Sequence, residues 1–206
     1  MKKSILYVLA ICLIFVGLQA NEIEFKYAKR YFSDGGKLTN ELKELLKKDK
    51  FFLEGNDFLE NPKNMKVVLK DTATDPHSEK KEIKEVAIPQ FDKALDSFTQ
   101  SVKTYQNPLS AFVGIYIINT KFGRNNFLDQ YNLFSKVLYE KEKNICDSYL
   151  NYGAIFEKGY LVEKDFKKAF EIYSEGVSGP CSEGWQKSVV ESKLFLLEKW
   201  LKKDEK

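Results

Sequence analysis

Residues 146–180 read CDSYLNYGAIFEKGYLVEKDFKKAFEIYSEGVSGP, and this stretch decides the fold. Its first half places Tyr149, Tyr152, Gly153 and Phe156 close enough in angle to form one stripe on a 3.6-residue period. Its second half does the same with Phe166, Ala169, Phe170, Tyr173 and Val177. Between them, Gly159 is suited to end a helix in the left-handed conformation that other residues adopt only at a cost, and Asp165 is suited to cap the next helix through its carboxylate. The stretch therefore reads as a helical hairpin whose turn is specified at both edges. A glycine inside a helix costs up to about 1 kcal/mol relative to alanine, so Gly153 needs a compensating contact. The expected one is close approach of the partner helix at Ala169.

The spacing of this hairpin recurs along the chain. Phe91, Ala94 and Phe98 match Phe166, Ala169 and Tyr173; Phe127, Gln130 and Phe134 form a weaker copy, and Phe25, Ala28 and Phe32 an earlier one. The steps from Phe91 to Phe127 and on to Phe166 are 36 and 39 residues, and a period of that length predicts stacked helical hairpins. The unit at 146–180 resembles the Sel1-like repeat, which reads as a Leu-Gly pair, an aromatic, a glycine turn, valine, aspartate, Lys-Ala and tyrosine. Tyr152, Gly153, Phe156, Gly159, Val162, Asp165, Lys168, Ala169 and Tyr173 hold those places here. Tyr152 replaces the leucine, and Gly176 stands where the family usually has alanine. Residues 108–140 read as a diverged, longer copy, and residues 88–105 as a second helix without its first. The resemblance implies an all-α fold, an α/α superhelical solenoid of helix hairpins related to tetratricopeptide arrays, used for protein–protein contact and not for chemistry.

Outward from the repeats, the N-terminal end carries Lys2 and Lys3 ahead of an uncharged run from Ile5 to Gly17 that closes with Leu18, Gln19 and Ala20. That is the layout of a cleavable secretory signal over residues 1–20. The run is shorter than the roughly 20 residues of a spanning helix, so no stable membrane insertion is expected after cleavage. The expected location is the periplasm or the exterior. Thiols oxidise there, and the two cysteines that remain, Cys146 and Cys181, form an even pair for which one disulfide is expected. Given the hairpin that the resemblance implies, the start of one helix lies beside the exit of the other, and the pair bridges with little strain if its Cα atoms come within about 7 Å. Loss of Lys2 and Lys3 changes 33 basic and 30 acidic residues to 31 and 30, a balance that predicts no nucleic-acid partner.

Residues 21–87 are expected to form a less regular helical region with an exposed charged loop. Thr39 or Asn40 caps a helix running through Leu42, Leu45 and Leu46 to about Lys50, Met65 to Leu69 reads as a short strand or irregular edge, and Asp71 to Lys84 is charged and nearly free of apolar residues. Residues 88–206 hold the repeats and a final helix from about Ser182 to Lys203. Val190, Leu194, Leu197 and Leu201 share one stripe of it, and Trp185, Val189, Phe195, Leu196 and Trp200 widen its apolar surface. Arrays need a terminal cap, and this helix is placed to be one.

Catalytic patterns are not evident. The single histidine, His77, stands in the charged stretch with no nucleophile placed beside it, and no cluster has zinc-ligand spacing. Gly35 and Gly36 lack the Lys-Ser or Lys-Thr ending of a phosphate loop. Glu157, Glu163 and Asp165 gather at the hairpin turn and read as solvated loop carboxylates. The reading is a non-catalytic scaffold, without cofactor, for a protein or peptide partner. By analogy with helical repeats, Asn119, Asn151 and Lys158 are expected to line its concave surface. A cell-wall-related enzyme or ligand-binding protein, and a structural part of an envelope machine such as a secretion or flagellar assembly, are the alternatives.

Overall fold

The computed structural model describes residues 27–71 and 83–204. The expected signal segment, His77 and most of the charged stretch lie outside the described residues. Those described are mostly helical: α1 (Lys29–Ser33), α2 (Asn40–Lys48), α3 (Lys50–Glu60), α4 (Phe91–Tyr105), α5 (Pro108–Ile117), α6 (Leu128–Lys141), α7 (Cys146–Lys158), α8 (Phe166–Val177) and α9 (Gly184–Asp204). One antiparallel hairpin, β1 (Lys66–Asp71) with β2 (Ile83–Ile88), stands between α3 and α4, in register from Lys66 opposite Ile88 to Asp71 opposite Ile83. From α3 onward the helices pack as pairs in chain order, α3 with α4, α5 with α6 and α7 with α8, and α9 closes against α8.

The three pairs share one joint. Gly55 of α3 lies against the ring of Phe98 in α4, Gly114 of α5 against Phe134 in α6, and Gly153 of α7 against Tyr173 in α8. At each, a methyl group on the glycine would come within 3.0 Å of ring carbons. All three rings are fully buried, so none is free to swing aside. The glycine thus gives up helix propensity to let a flat ring lie on bare backbone. This corrects the reading of Gly153: the group that demands glycine is the Tyr173 ring, not the backbone at Ala169. Phe98, Phe134 and Tyr173 are also the third members of the recurring aromatic spacing, which is therefore the trace of this joint.

Two further expectations are corrected. Residues 88–105 do have a first helix, namely α3, from which the β-hairpin separates them. Of the spacing Phe25, Ala28 and Phe32, Phe25 lies outside the described residues, Ala28 precedes α1 and Phe32 lies in it, and a helix of five residues is too short to be half of a pair. Ala28 and Tyr31 are instead buried, Tyr31 standing edge-on to Phe112 of α5 with ring centres 5.5 Å apart. Of the short strand or irregular edge expected at 65–69, the strand is what forms, as β1, whereas β2 begins inside the stretch read as a charged loop.

Local chemistry sets the helix boundaries. Thr39 Oγ1 accepts from the Leu42 N–H at 3.1 Å and starts α2. Asp49, fully buried, separates α2 from α3 and caps the latter, its Oδ1 accepting from the Phe52 N–H at 3.0 Å. Its Oδ2 accepts from Ser101 Oγ at 2.5 Å and from Asn107 Nδ2 at 2.8 Å, so one carboxylate joins α2, α3, α4 and the start of α5. At the other end of the stack, Gly159 sits at φ +71° and its N–H reaches Ile155 O at 2.9 Å, while Asp165 Oδ1 accepts from the Lys168 N–H at 2.8 Å. The turn is as its residues predict. Cys146 and Cys181 form a disulfide with Cα atoms 4.9 Å apart, binding the first residue of α7 to the chain just beyond α8. A methyl on Gly176 would lie 2.9 Å from Tyr149 Cβ and 3.4 Å from the Cys181 sulfur, which accounts for glycine there. In α9, Val190 and Leu197 are buried while Trp185, Phe195, Leu196 and Trp200 face outward.

Candidate functional site

First helices of successive pairs meet in a cleft of about 210 Å³. Phe112, Ile115 and Tyr116 enter it from α5, Asp147, Leu150 and Asn151 from α7, Arg30 from α1 and Trp185 from the start of α9. Asn119, Thr120 and Arg124 come from the turn after α5. That turn is wound wider than an α-helix, from Ile118 to Phe122, and Gly123 ends it at φ +81° with its N–H 2.7 Å from Ile118 O. Widened turns of this kind break the regular succession of side chains, and here the break brings Asn119 and Thr120 to the cleft.

The polar groups of the cleft form a connected series. Arg124 Nε donates to Asn119 Oδ1 at 2.6 Å, and its guanidinium lies over the Tyr131 ring, 5.0 Å from the centre. Tyr131 OH donates to Asn151 Oδ1 at 2.9 Å, and Asn151 Nδ2 donates to Asp147 O at 2.6 Å. Asp147 Oδ2 accepts from Arg30 Nη2 at 3.1 Å, and Arg30 Nε reaches Asp34 Oδ2 at 3.1 Å. Burial pushes the Asp147 carboxyl above its ordinary range, partly opposed by the Arg30 guanidinium. Burial likewise pushes the Tyr131 phenol up to about 12, so it stays protonated and acts as a donor. Nearby, Tyr31 OH donates to Glu142 Oε1 at 2.5 Å, and burial raises the Glu142 carboxyl, with the Tyr31 bond opposing.

Of the three residues expected on the concave surface, Asn119 and Asn151 line this cleft and Lys158 does not. Asn119 is exposed. Asn151 is buried, with its amide used to hold Tyr131 and the first turn of α7, so it shapes the cleft from within. Lys158 ends α7 and pairs with Glu157, its Nζ 2.7 Å from Oε1. Glu157 is itself not a solvated loop residue. Its Oε2 accepts from Tyr173 OH at 2.8 Å and from Lys193 Nζ at 2.5 Å, tying α7 to α8 and α9. Burial alone would raise its pKa, but the hydrogen bonds from Lys158, Lys193 and Tyr173 outweigh that and hold it at about 2. Such a carboxylate is a permanent anion, unsuited to be a general acid near neutrality.

Sequence reading missed Arg30, Arg124, Asp147 and Trp185, which reach the cleft from four separate parts of the chain. One signal was there to find two of them: Arg30 and Arg124 are the only arginines among 33 basic residues. Among the described residues no group of three or more His, Cys, Asp or Glu side chains is arranged to hold a metal, and no helix is long and apolar enough to cross a membrane. No family model matches the chain, and no curated protein or solved structure is significantly similar to it.

Proposed function

We propose that the protein is an exported, non-catalytic scaffold of Sel1-like helix pairs whose cleft holds a segment of a protein partner. The observation that carries this reading is the convergence of the first helices α5 and α7 on one concave site with apolar walls and fixed polar groups. Such a surface favours a side chain or chain end over a flat protein face, because a small cleft buries an anchor fully and buried anchors supply most of the binding energy at interfaces. The polar series from Arg124 to Asp34 runs through amide, phenol, guanidinium and carboxylate groups that hold one another in place. A nucleophile beside a base is not among them, which favours binding over catalysis. The Cys146–Cys181 bond supports a location outside the reducing cytoplasm.

The test is crosslinking in living cells with a photoreactive phenylalanine analogue placed at Tyr116 or Trp185, compared with the same analogue at exposed Leu53 of α3. A protein partner attached from the two cleft positions and not from position 53 is the expected outcome. Tight binding of a glycan in the cleft, with no protein attached from either position, would replace the scaffold with the cell-wall-directed alternative.

A further inference from the structure

The last helix, α9, stands where the first helix of a further pair would stand, without a second helix of its own. It packs on α8 through Val190 and Leu194. These follow at 39 residues the two that α7 turns inward, Asn151, which takes the hydroxyl of Tyr131 in α6, and buried Ile155. The positions of the glycine-on-ring joint continue at the same step. Gly114, Gly153 and Ser192 follow one another at 39 residues, and so do Ile117, Phe156 and Phe195. Serine is among the smallest side chains, so Ser192 preserves in α9 the bare seat that Gly114 and Gly153 offer to a ring of the second helix. A shallow depression lined by Ser188, Glu191, Ser192, Phe195 and Leu196 marks that seat. Among the described residues no helix packs on this face, and Phe195, Leu196 and Trp200 are each more than half exposed. Large apolar side chains gathered on one exposed face mark a surface that meets another molecule.

We propose that a second copy of the chain supplies the missing helix, α9 of one copy pairing antiparallel with α9 of the other about a two-fold axis. The proposal does not depend on what the cleft between α5 and α7 holds. In that arrangement the face is complementary to itself. Phe195 of each copy lies on Ser192 of the other, so the joint of the three internal pairs is made twice. One flank of the stripe is apolar, with Val189, Leu196 and Trp200, and the rotation brings Val189 within a helical turn of Trp200 of the other copy. The opposite flank is charged, and there Glu191 comes within a turn of Lys199 of the other copy. Both charges are available for this. The ion pair of Glu191 with Lys187 on its own helix is long at 3.9 Å, and the Lys199 ammonium rests on the Phe195 ring, 4.1 Å from its centre. A parallel two-fold would set Glu191 against Glu191 and Lys199 against Lys199, which disfavours it. Apolar facing apolar and acid facing base under a single rotation is what an interface between identical surfaces requires.

Both tryptophans of the chain, Trp185 and Trp200, belong to α9, so tryptophan emission reports on this helix alone. In the oxidised protein carrying Trp185→Phe, dilution through the micromolar range is expected to shift the Trp200 emission to the red while sedimentation velocity shows a dimer giving way to monomer. Phe195→Glu is expected to abolish the dimer and to leave the helical circular dichroism unchanged, because Phe195 is exposed. Glu191→Lys and Lys199→Glu each act twice across the axis and are expected to weaken the dimer about tenfold, and the two together to restore it. These exchanges fall on exposed charges and decide the matter alone if Phe195→Glu disturbs the fold. A photoreactive phenylalanine analogue at Leu196 is expected to attach a second copy of the chain in cells. A monomer at every concentration, a dimer indifferent to Phe195→Glu in folded protein, charge exchanges whose losses add instead of cancelling, or attachment of a different protein or of lipid at Leu196 would each overturn the pairing.

Discussion

The first and last helix pairs of this protein are closed by the same glycine-on-ring joint and tied at their ends by opposite means. In α7 and α8 the connection is residues 159–165, the ends are bridged covalently by Cys146 and Cys181, and Glu157 adds an ionic clasp to α9. In α3 and α4 the connection is residues 61–90, no covalent link exists between the pair, and the buried Asp49 carboxylate gathers Ser101 and Asn107. The longer connection costs the first pair only about 1 kcal/mol more in closure entropy, since each doubling of a loop adds about 0.6 kcal/mol. Surface fit between the helices, not the shortness of the tether, is what the two pairs have in common.

The largest expected effect comes from removing the covalent tie. Cys146→Ser with Cys181→Ser should lower stability by about 4 kcal/mol for the 35-residue separation, read as a shifted denaturant midpoint. Loss confined to α7–α9, with amide exchange in α3 and α4 unchanged, would show the two ends to be separable. Asp49→Asn should cost about 3 kcal/mol, because the new amide turns donors toward the Ser101 and Asn107 donors, and its exchange signature should fall on α2–α5 instead.

Gly153→Ala sharpens the shared element. The methyl meets the buried Tyr173 ring, so a loss of about 2 kcal/mol is expected despite alanine's better helix propensity, and Gly55→Ala should match it. A stabilised Gly153→Ala protein would mean that the joint is loose. The smallest effect is that of Glu157→Gln, about 1 kcal/mol at neutral pH. Because the folded carboxyl is held at about 2 against an ordinary 4.5, its contribution is present above the ordinary value and disappears as pH falls toward 2. The glutamine protein should lack that part of the acid sensitivity, as measured by thermal melts across that window.

The same contrast explains what could be read from the residues. The hairpin at 146–180 was legible because its boundaries are written locally: Gly159 and Asp165 stand at the two edges of one short turn, and the aromatic stripes flank them at once. In the first pair the identical joint joins Gly55 to Phe98 across an inserted β-hairpin, and no periodicity connects residues so far apart. The cleft was half legible. Helical spacing reached Asn119 and Asn151, though Asn151 proves to be an internal brace, whereas Lys158 looks outward because the end of α7 turns it to Glu157. Arg30, Arg124 and Trp185 were beyond periodic reasoning, since each arrives from a segment outside the helix pairs that form the walls.

The β-hairpin set between α3 and α4 carries one more consequence. Since the two helices recognise each other through Gly55 and Phe98 and through contacts that do not pass along the insert, the pair should hold together without chain continuity there. A protease cut between β1 and β2 should yield two pieces that co-migrate as one particle until denatured, and the position is accordingly a natural port for grafting a tag or a second domain.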